Sequence, residues 1–206
     1  MRKEIKIKLL KNLLEEVTKK YDSILSLKEE KLKDAYLMAI KDELTGLYNR
    51  YYLKDCLVKS IERLKRNEGG KIFLIFIDLD NFKLINDTYG HNKGDEVLKE
   101  IAQILSINFR KYDIIARYGG DEFIILFESD NEPIERINTL RQKIEEIFRE
   151  FQLSFSYGVS VFPDDIEDIN METQEIIKKL IEIADRRMYE EKMKREEGNN
   201  FRIIKE

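Results

Sequence analysis

The sequence has one cysteine, Cys56, among 206 residues, so no disulfide can form within the chain and a reducing compartment suits it. It has two prolines and no tract rich in Pro or Ser, which argues against a flexible linker of those kinds. No stretch approaches the roughly 20 apolar residues of a membrane-spanning helix. The basic N-terminus MRKEIKIKLLKNLLEEV lacks the unbroken apolar core of a signal peptide. A cytoplasmic protein without a membrane span is the expectation. A basic excess is missing too: 37 Lys and Arg stand against 41 Asp and Glu, a net charge of −4. Broad electrostatic binding of nucleic acid needs clustered cations, so nucleic acid is not an expected partner. A small polyanion can still bind where a metal supplies the positive charge.

What is present suits a packed domain. Hydrophobic residues make up 42%, too many for a disordered chain, and the 38% charged residues fall largely on solvated helix faces. Residues 1–40 contain neither Gly nor Pro. Leu10, Leu14, Val17, Tyr21 and Ile24 follow steps of four and three, which draws one narrow apolar seam down a helix. Leu25, Leu32, Tyr36 and Ile40 continue on a shifted face, as in a stutter. So narrow a stripe on so long a charged helix favours a two-stranded coiled coil over packing against its own domain. The segment DELTGLYNR, 42–50, breaks the helix, with a turn at Thr45-Gly46 and Asn49 as the next helix start. We therefore expect a coiled-coil dimerisation helix over 1–41 and a separate folded domain over 42–206.

Within the second part, residues 50–66 read as a helix and KIFLIFID, 71–78, as a strand covered on both faces. Asp80 is the expected cap of a short helix over 81–89, and a longer helix follows Gly94. DIIARYGGDEFIILF reads as two strands around a tight turn, followed by a helix at 133–150, a strand LSFSYGVSVF, a helix at 174–195 and a last strand FRII. This order predicts an α/β layered sandwich with an antiparallel hairpin in its sheet.

The chemistry gathers at strand ends. Asp78 closes an apolar strand, where a carboxylate is costly unless a cation or donors meet it. In Gly119-Gly120-Asp121-Glu122 the glycines permit close approach to the backbone. If the hairpin lies beside the first strand, Asp121 comes near Asp78, and converging carboxylates make a hard-oxygen site suited to Mg²⁺ and substrate phosphates. The residues alone leave a charged turn as the alternative.

Several linked motifs carry a family resemblance. FIDLDNFK at 76–83, Ile85-Asn86-Asp87, Gly90-His91, Gly94-Asp95 and RYGGDEF at 117–123, with DELTGLYNR ahead of them, resemble the GGDEF domain of diguanylate cyclases. The resemblance covers residues 42 to about 203. It implies a palm-like nucleotidyl-cyclase fold, with a mainly antiparallel central sheet flanked by helices, and the joining of two GTP into cyclic di-GMP with release of two pyrophosphates; residues 42–206 would then be the catalytic domain and 1–41 a signalling helix. It implies two Mg²⁺ per active site, or Mn²⁺ in their place, on Asp78, the Leu79 carbonyl, Asp121 and Glu122. Asp121 and Glu122 would be catalytic, with the 3′-hydroxyl proton going to Glu122 or to a metal-activated water. Asn86 and Asp95 match the guanine readers; Asp95, otherwise readable as a helix cap, would accept guanine's N1–H and amine together. Asn81, Phe82 and Lys83 at a helix start, with Lys192, match the triphosphate site, although either lysine alone reads as solvated. Arg117, just before the glycines, could also face phosphate.

One departure stands out. Relatives follow the late lysine closely with Gly-Arg-Asn, whereas here the gap to Gly198 is longer by three and Asn199 stands in place of Arg. Either Arg195 substitutes or a phosphate contact is missing. Arg110 and Asp113 match the RxxD motif through which relatives bind their product as inhibitor, with Arg141 as the supporting arginine; a surface ion pair is the plainer reading. A two-fold product from one GTP per subunit implies a homodimer. The rival readings are a non-catalytic receptor for GTP or cyclic di-GMP and a coiled-coil protein with an inert domain.

Overall fold

The computed structural model describes residues 2–66, 69–129 and 131–203. The chain divides into two compact units, Met1–Ile40 and Lys41–Glu206. The first is a single helix, α1, Arg2–Ile40. Its seam residues lie open within the chain, with Leu10 59%, Leu14 67%, Val17 58%, Tyr21 61% and Ile24 47% exposed.

The second unit runs β1 (Tyr48–Asn49), α2 (Arg50–Lys65), β2 (Ile72–Asp80), α3 (Phe82–Tyr89), α4 (His91–Asn108), β3 (Ile114–Gly119), β4 (Glu122–Glu128), α5 (Ile134–Ile147), a 3₁₀ turn (Arg149–Phe151), β5 (Ser154–Phe162) and α6 (Thr173–Ile203). The sheet order is β1-β3-β4-β2-β5. Among the described residues only the β1–β3 strand pairing is parallel; β2 lies antiparallel between β4 and β5. The expected sandwich and antiparallel hairpin are both present.

Successive side chains of a strand point to opposite faces, and β2 shows what that does here. Phe73, Ile75, Ile77 and Leu79 enter one core with Val97, Leu98 and Ile101 of α4 and Ile137, Leu140 and Ile144 of α5. Ile72, Leu74 and Phe76 enter a second core with Leu53, Leu57 and Ile61 of α2 and Ile176, Ile177, Leu180 and Ala184 of α6. On β5 the residues opposite Asp80, Asp78, Phe76, Leu74 and Ile72, which share this face, are Ser154, Ser156, Gly158, Ser160 and Phe162. Four of these five are small, so α6 can lie close against the sheet.

Some boundaries differ from expectation. Asn49 caps α2 as its spacing predicts, accepting from the Tyr51 and Tyr52 N–H groups. Asp80 does not cap α3: it is the last residue of β2, and Asn81, in the left-handed region at φ 65°, occupies the cap with its side chain donating to the Gln152 carbonyl at 3.0 Å rather than capping the helix. α4 begins at His91, so Asp95 lies inside the helix and the cap reading of it fails. The expected strand at FRII is overturned for residues 201–203, which continue α6; residue 204 lies outside the described residues.

Candidate active site

Strand register decides how the acids meet. Asp78 pairs directly with Glu122 across β2 and β4, and directly opposed residues share a face. By alternation that face is the one α6 covers. Asp121 sits at the turn, where its carbonyl accepts the Leu79 N–H at 3.3 Å. Asp78, Leu79, Asp121 and Glu122 therefore gather at one sheet end. Lys192 reaches them from α6 and forms an ion pair with Asp78.

The electrostatics reflect this crowding. Burial pushes the pKa of Asp121 up, and the charge of Asp78 adds to it. Burial likewise raises Glu122, followed by Asp78, Asp121 and Asp185. Burial opposes the charge of Lys192, but its hydrogen bond to Asp78 and the charges of Asp78, Asp80 and Asp121 outweigh that and raise its pKa. Like charges held together with one ammonium among them form a place that a divalent cation would relieve. Among the described residues no group of three or more His, Cys, Asp or Glu side chains is already set to hold a metal. Fewer carboxylates suffice for Mg²⁺, which binds through one or two of them, with waters and substrate phosphates completing its shell. The donor set fits such an ion.

The turn itself is clamped. Gly120 adopts φ +36°, and its carbonyl accepts from Arg117 Nε at 2.9 Å and Nη2 at 2.8 Å. Arg117 Nη1 meets Asp42 Oδ1 at 3.3 Å, and that oxygen also accepts from Thr45 N at 2.9 Å. The opening DELT segment thus holds the GGDEF turn through one arginine. This replaces the expectation that Arg117 faces phosphate, because its donors are already engaged. Burial favours neutral Asp42, but the Thr45 hydrogen bonds and the Arg117 charge outweigh it and hold its pKa below the ordinary 3.8. A depressed folded pKa contributes stability that is present above about pH 4 and is lost as the pH falls through the depressed value. Asp42→Asn should melt below wild type at pH 7, and the two melting curves should converge at strongly acid pH.

The other candidate residues fall in separate places. Asn86 on α3 lies against Gly94 of α4, where an added Cβ would come 1.9 Å from Asn86 Oδ1. Gly94 therefore makes room for the amide beside Asp95, which is exposed. Phe82 is buried, while Asn81 and Lys83 are exposed at the start of α3. Arg195 is bound to Asp80 at 2.9 Å, the Phe155 carbonyl at 2.6 Å and Ser154 Oγ at 2.8 Å, so it does not replace the missing phosphate arginine.

Arg110 and Asp113 meet at the corner before β3, where Asp113 Oδ2 accepts the Arg110 N–H at 2.8 Å. Arg141 does not join them. It pairs with Glu191 and lies over the Tyr157 ring at 4.9 Å. Arg136 is the arginine beside Asp113, at 3.8 Å, and it stacks over Phe109 at 4.2 Å. Arg136 and Arg141 differ by five residues and so point about 140° apart on a helix.

A mainly antiparallel sheet with acids converging beside a Gly-Gly turn defines a palm-type α/β domain of the nucleotidyl-cyclase kind. The chain belongs to the GGDEF family: the family model described as "Diguanylate cyclase, GGDEF domain" matches residues 39–198. It is 36% identical to the diguanylate cyclase DosC of Escherichia coli K12 over 159 residues, 72% of this chain and 32% of that protein. The chain therefore spans about a third of that relative's length. A sensory box/GGDEF family protein from Caulobacter crescentus CB15 is similar in structure, with TM-score 0.60, 32% identity and coverage of 75% of this chain and 99% of that one. The coiled coil and GGDEF domain of Caulobacter crescentus DgcB, solved with c-di-GMP, shares the fold at TM-score 0.71 and 24% identity, covering 87% of this chain and 94% of that one. No helix among the described residues is long and apolar enough to cross a membrane.

Proposed function

We propose that this chain is a diguanylate cyclase that condenses two GTP into cyclic di-GMP and releases two pyrophosphates. The observation that carries the proposal is the Asp78–Glu122 cross-strand pair, with Asp121 bonded to Leu79 beside it and Lys192 above it. In this reading Asp78, the Leu79 carbonyl, Asp121 and Glu122 hold two Mg²⁺, or Mn²⁺ in their place. Bound there, such ions would supply charge neutralisation for an in-line displacement at the α-phosphate.

The chain's own residues supply the rest. Asp95 accepts guanine's two adjacent donors and Asn86 takes the purine edge; adenine lacks that donor pair and would leave Asp95 unmatched. Lys83, Lys192 and the backbone at Asn81 and Phe82 hold the triphosphate. Glu122 stands directly across from Asp78 at the acid cluster, and we assign it the 3′-hydroxyl proton. Each subunit holds one GTP, so two must face each other for each 3′-hydroxyl to attack the other's α-phosphate. The open seam of α1 is a surface that a second copy would cover.

The test is incubation with GTP and Mg²⁺ followed by chromatographic separation of products. Cyclic di-GMP is expected. A chain that binds GTP and never turns it over is instead a receptor. Product inhibition is assigned to Arg110 and Asp113, with Arg136 rather than Arg141 in support. Arg110→Ala should raise the concentration of added cyclic di-GMP needed for half-inhibition by about tenfold or more, the loss expected with one bidentate guanine contact. Unchanged inhibition would remove the site from consideration.

A further inference from the structure

Three side chains of α6, spaced four residues apart, bond in order to the open backbone edge of β5. Arg187 Nη1 donates to the Val159 carbonyl at 2.6 Å, Glu191 Oε2 accepts the Tyr157 N–H at 2.9 Å, and Arg195 Nη1 donates to the Phe155 carbonyl at 2.6 Å. Four helical residues rise about 6.0 Å and two strand residues about 6.7 Å, so three rungs stay in step. β5 ends the sheet, and its outer groups would otherwise face water or another chain. Each rung is braced from behind. Asp165 accepts from both ends of Arg187, at 2.6 and 2.7 Å. Arg141 holds Glu191, and Asp80 holds Arg195 at 2.9 Å.

Covering a strand edge explains these bonds but not what stands between them. Lys192 lies between the second and third rungs, and it is the α6 residue that meets Asp78. Rotating the helix by one residue would turn that side chain by about 100°. We propose that the Arg187–Glu191–Arg195 ladder is a positioning device that sets the register of α6 on β5 so that Lys192 stands at the acid cluster. These three residues touch no substrate and act through Lys192. The inference rests on the reading of Lys192 as a triphosphate ligand. It also gives Arg195 a role other than the phosphate contact that its sequence position suggested. A flexible lysine loses less on binding when its backbone is already in place.

Steady-state kinetics of the full chain test this. Glu191→Ala removes the middle rung and should raise KM for GTP about tenfold with kcat within about twofold. Glu191→Gln keeps an oxygen that can accept the Tyr157 N–H and should recover most of the loss. In a Lys192→Ala background, Glu191→Ala should add nothing further, since effects that run through one residue are not additive. An equal KM rise in both backgrounds, or a lowered melting temperature with KM unchanged, would leave the ladder as an edge cover only. Should Glu191→Ala not fold, Arg187→Ala, the most exposed rung, offers the same comparison with a smaller rise, again absent without Lys192. A wild type that binds no GTP removes the triphosphate site and the ladder's role with it. A wild type that binds GTP, paired with an indifferent Glu191→Ala, removes the ladder alone.

Discussion

Glu122→Gln should abolish most product formation while making the metal-free protein more stable. The amide cannot accept the 3′-hydroxyl proton and is a poor ligand for a hard cation. Loss of a positioned base alone lowers turnover by about 100- to 10,000-fold, and loss of a cation ligand adds to it. GTP binding should persist, because guanine and triphosphate contacts lie elsewhere. The gain in stability follows from the pKa. Burial first, then Asp78, Asp121 and Asp185, raise the folded-state pKa of Glu122 above its ordinary 4.5. A carboxyl with a raised pKa weakens the fold as the pH rises through the window between its unfolded and folded values, so at neutral pH its charge is a liability. Removing that charge should raise the melting temperature in EDTA by about 2–4 °C, the scale of a modest stabilisation in a domain of this size. Product from the variant at the wild-type rate would exclude Glu122 from the chemistry. Lower stability of the variant in EDTA would contradict the repulsion.

Gly158→Ala should be the most damaging single methyl in the domain. Gly158 lies on β5, opposite Phe76, on the face that α6 covers. A Cβ there would stand 2.0 Å from the Ala184 carbonyl oxygen and 2.4 Å from the Met188 nitrogen. Both are helix backbone and cannot rotate away, so helix and sheet must separate. Overpacking of this kind costs about 3 kcal/mol, or a fall of about 6–12 °C in melting temperature for a domain of this size. Activity should fall beyond what unfolding explains, because the separation moves Lys192 from Asp78. Thermal melts alongside turnover at low temperature would check this, and a variant within 1–2 °C of wild type, about the effect of a surface change, would refute the tight seat.

Much of this architecture can be read from the sequence because its signals are periodic. KIFLIFID is continuous and apolar, as expected of a strand buried on both faces, and β2 has an apolar core on each side. Reading ARYGGDEFIILF as a hairpin beside that strand predicts that Asp121 comes near Asp78; the convergence is legible, but the register sets Glu122 directly opposite Asp78 and leaves Asp121 at the turn. Other features left no such signal. β1 has two residues, too short for any pattern. FRII has the composition of a strand, but residues 201–203 continue α6. Asp80 looked like a helix cap because acids before helices usually are, whereas here Ser156 and Arg195 hold it within the strand. Arg117, Arg141 and Arg195 each stand where a cation could serve a phosphate or a product. Long flexible side chains go to the nearest acceptor, and spacing along the chain does not say which acceptor will be near.

The serines and glycine of β5 have a consequence for how this member of the GGDEF family can change. Ser154, Ser156 and Ser160 are buried along with Gly158, and Ser160 Oγ finds no hydrogen-bond partner among the described residues. A strand without a reactive group therefore acts as the shim that fixes the gap between a cation on one wall and carboxylates on the other. Inheritable adjustment of the reaction need not touch the reacting groups at all: swapping one small residue for another on this strand would widen or narrow the gap and retune the chemistry from outside.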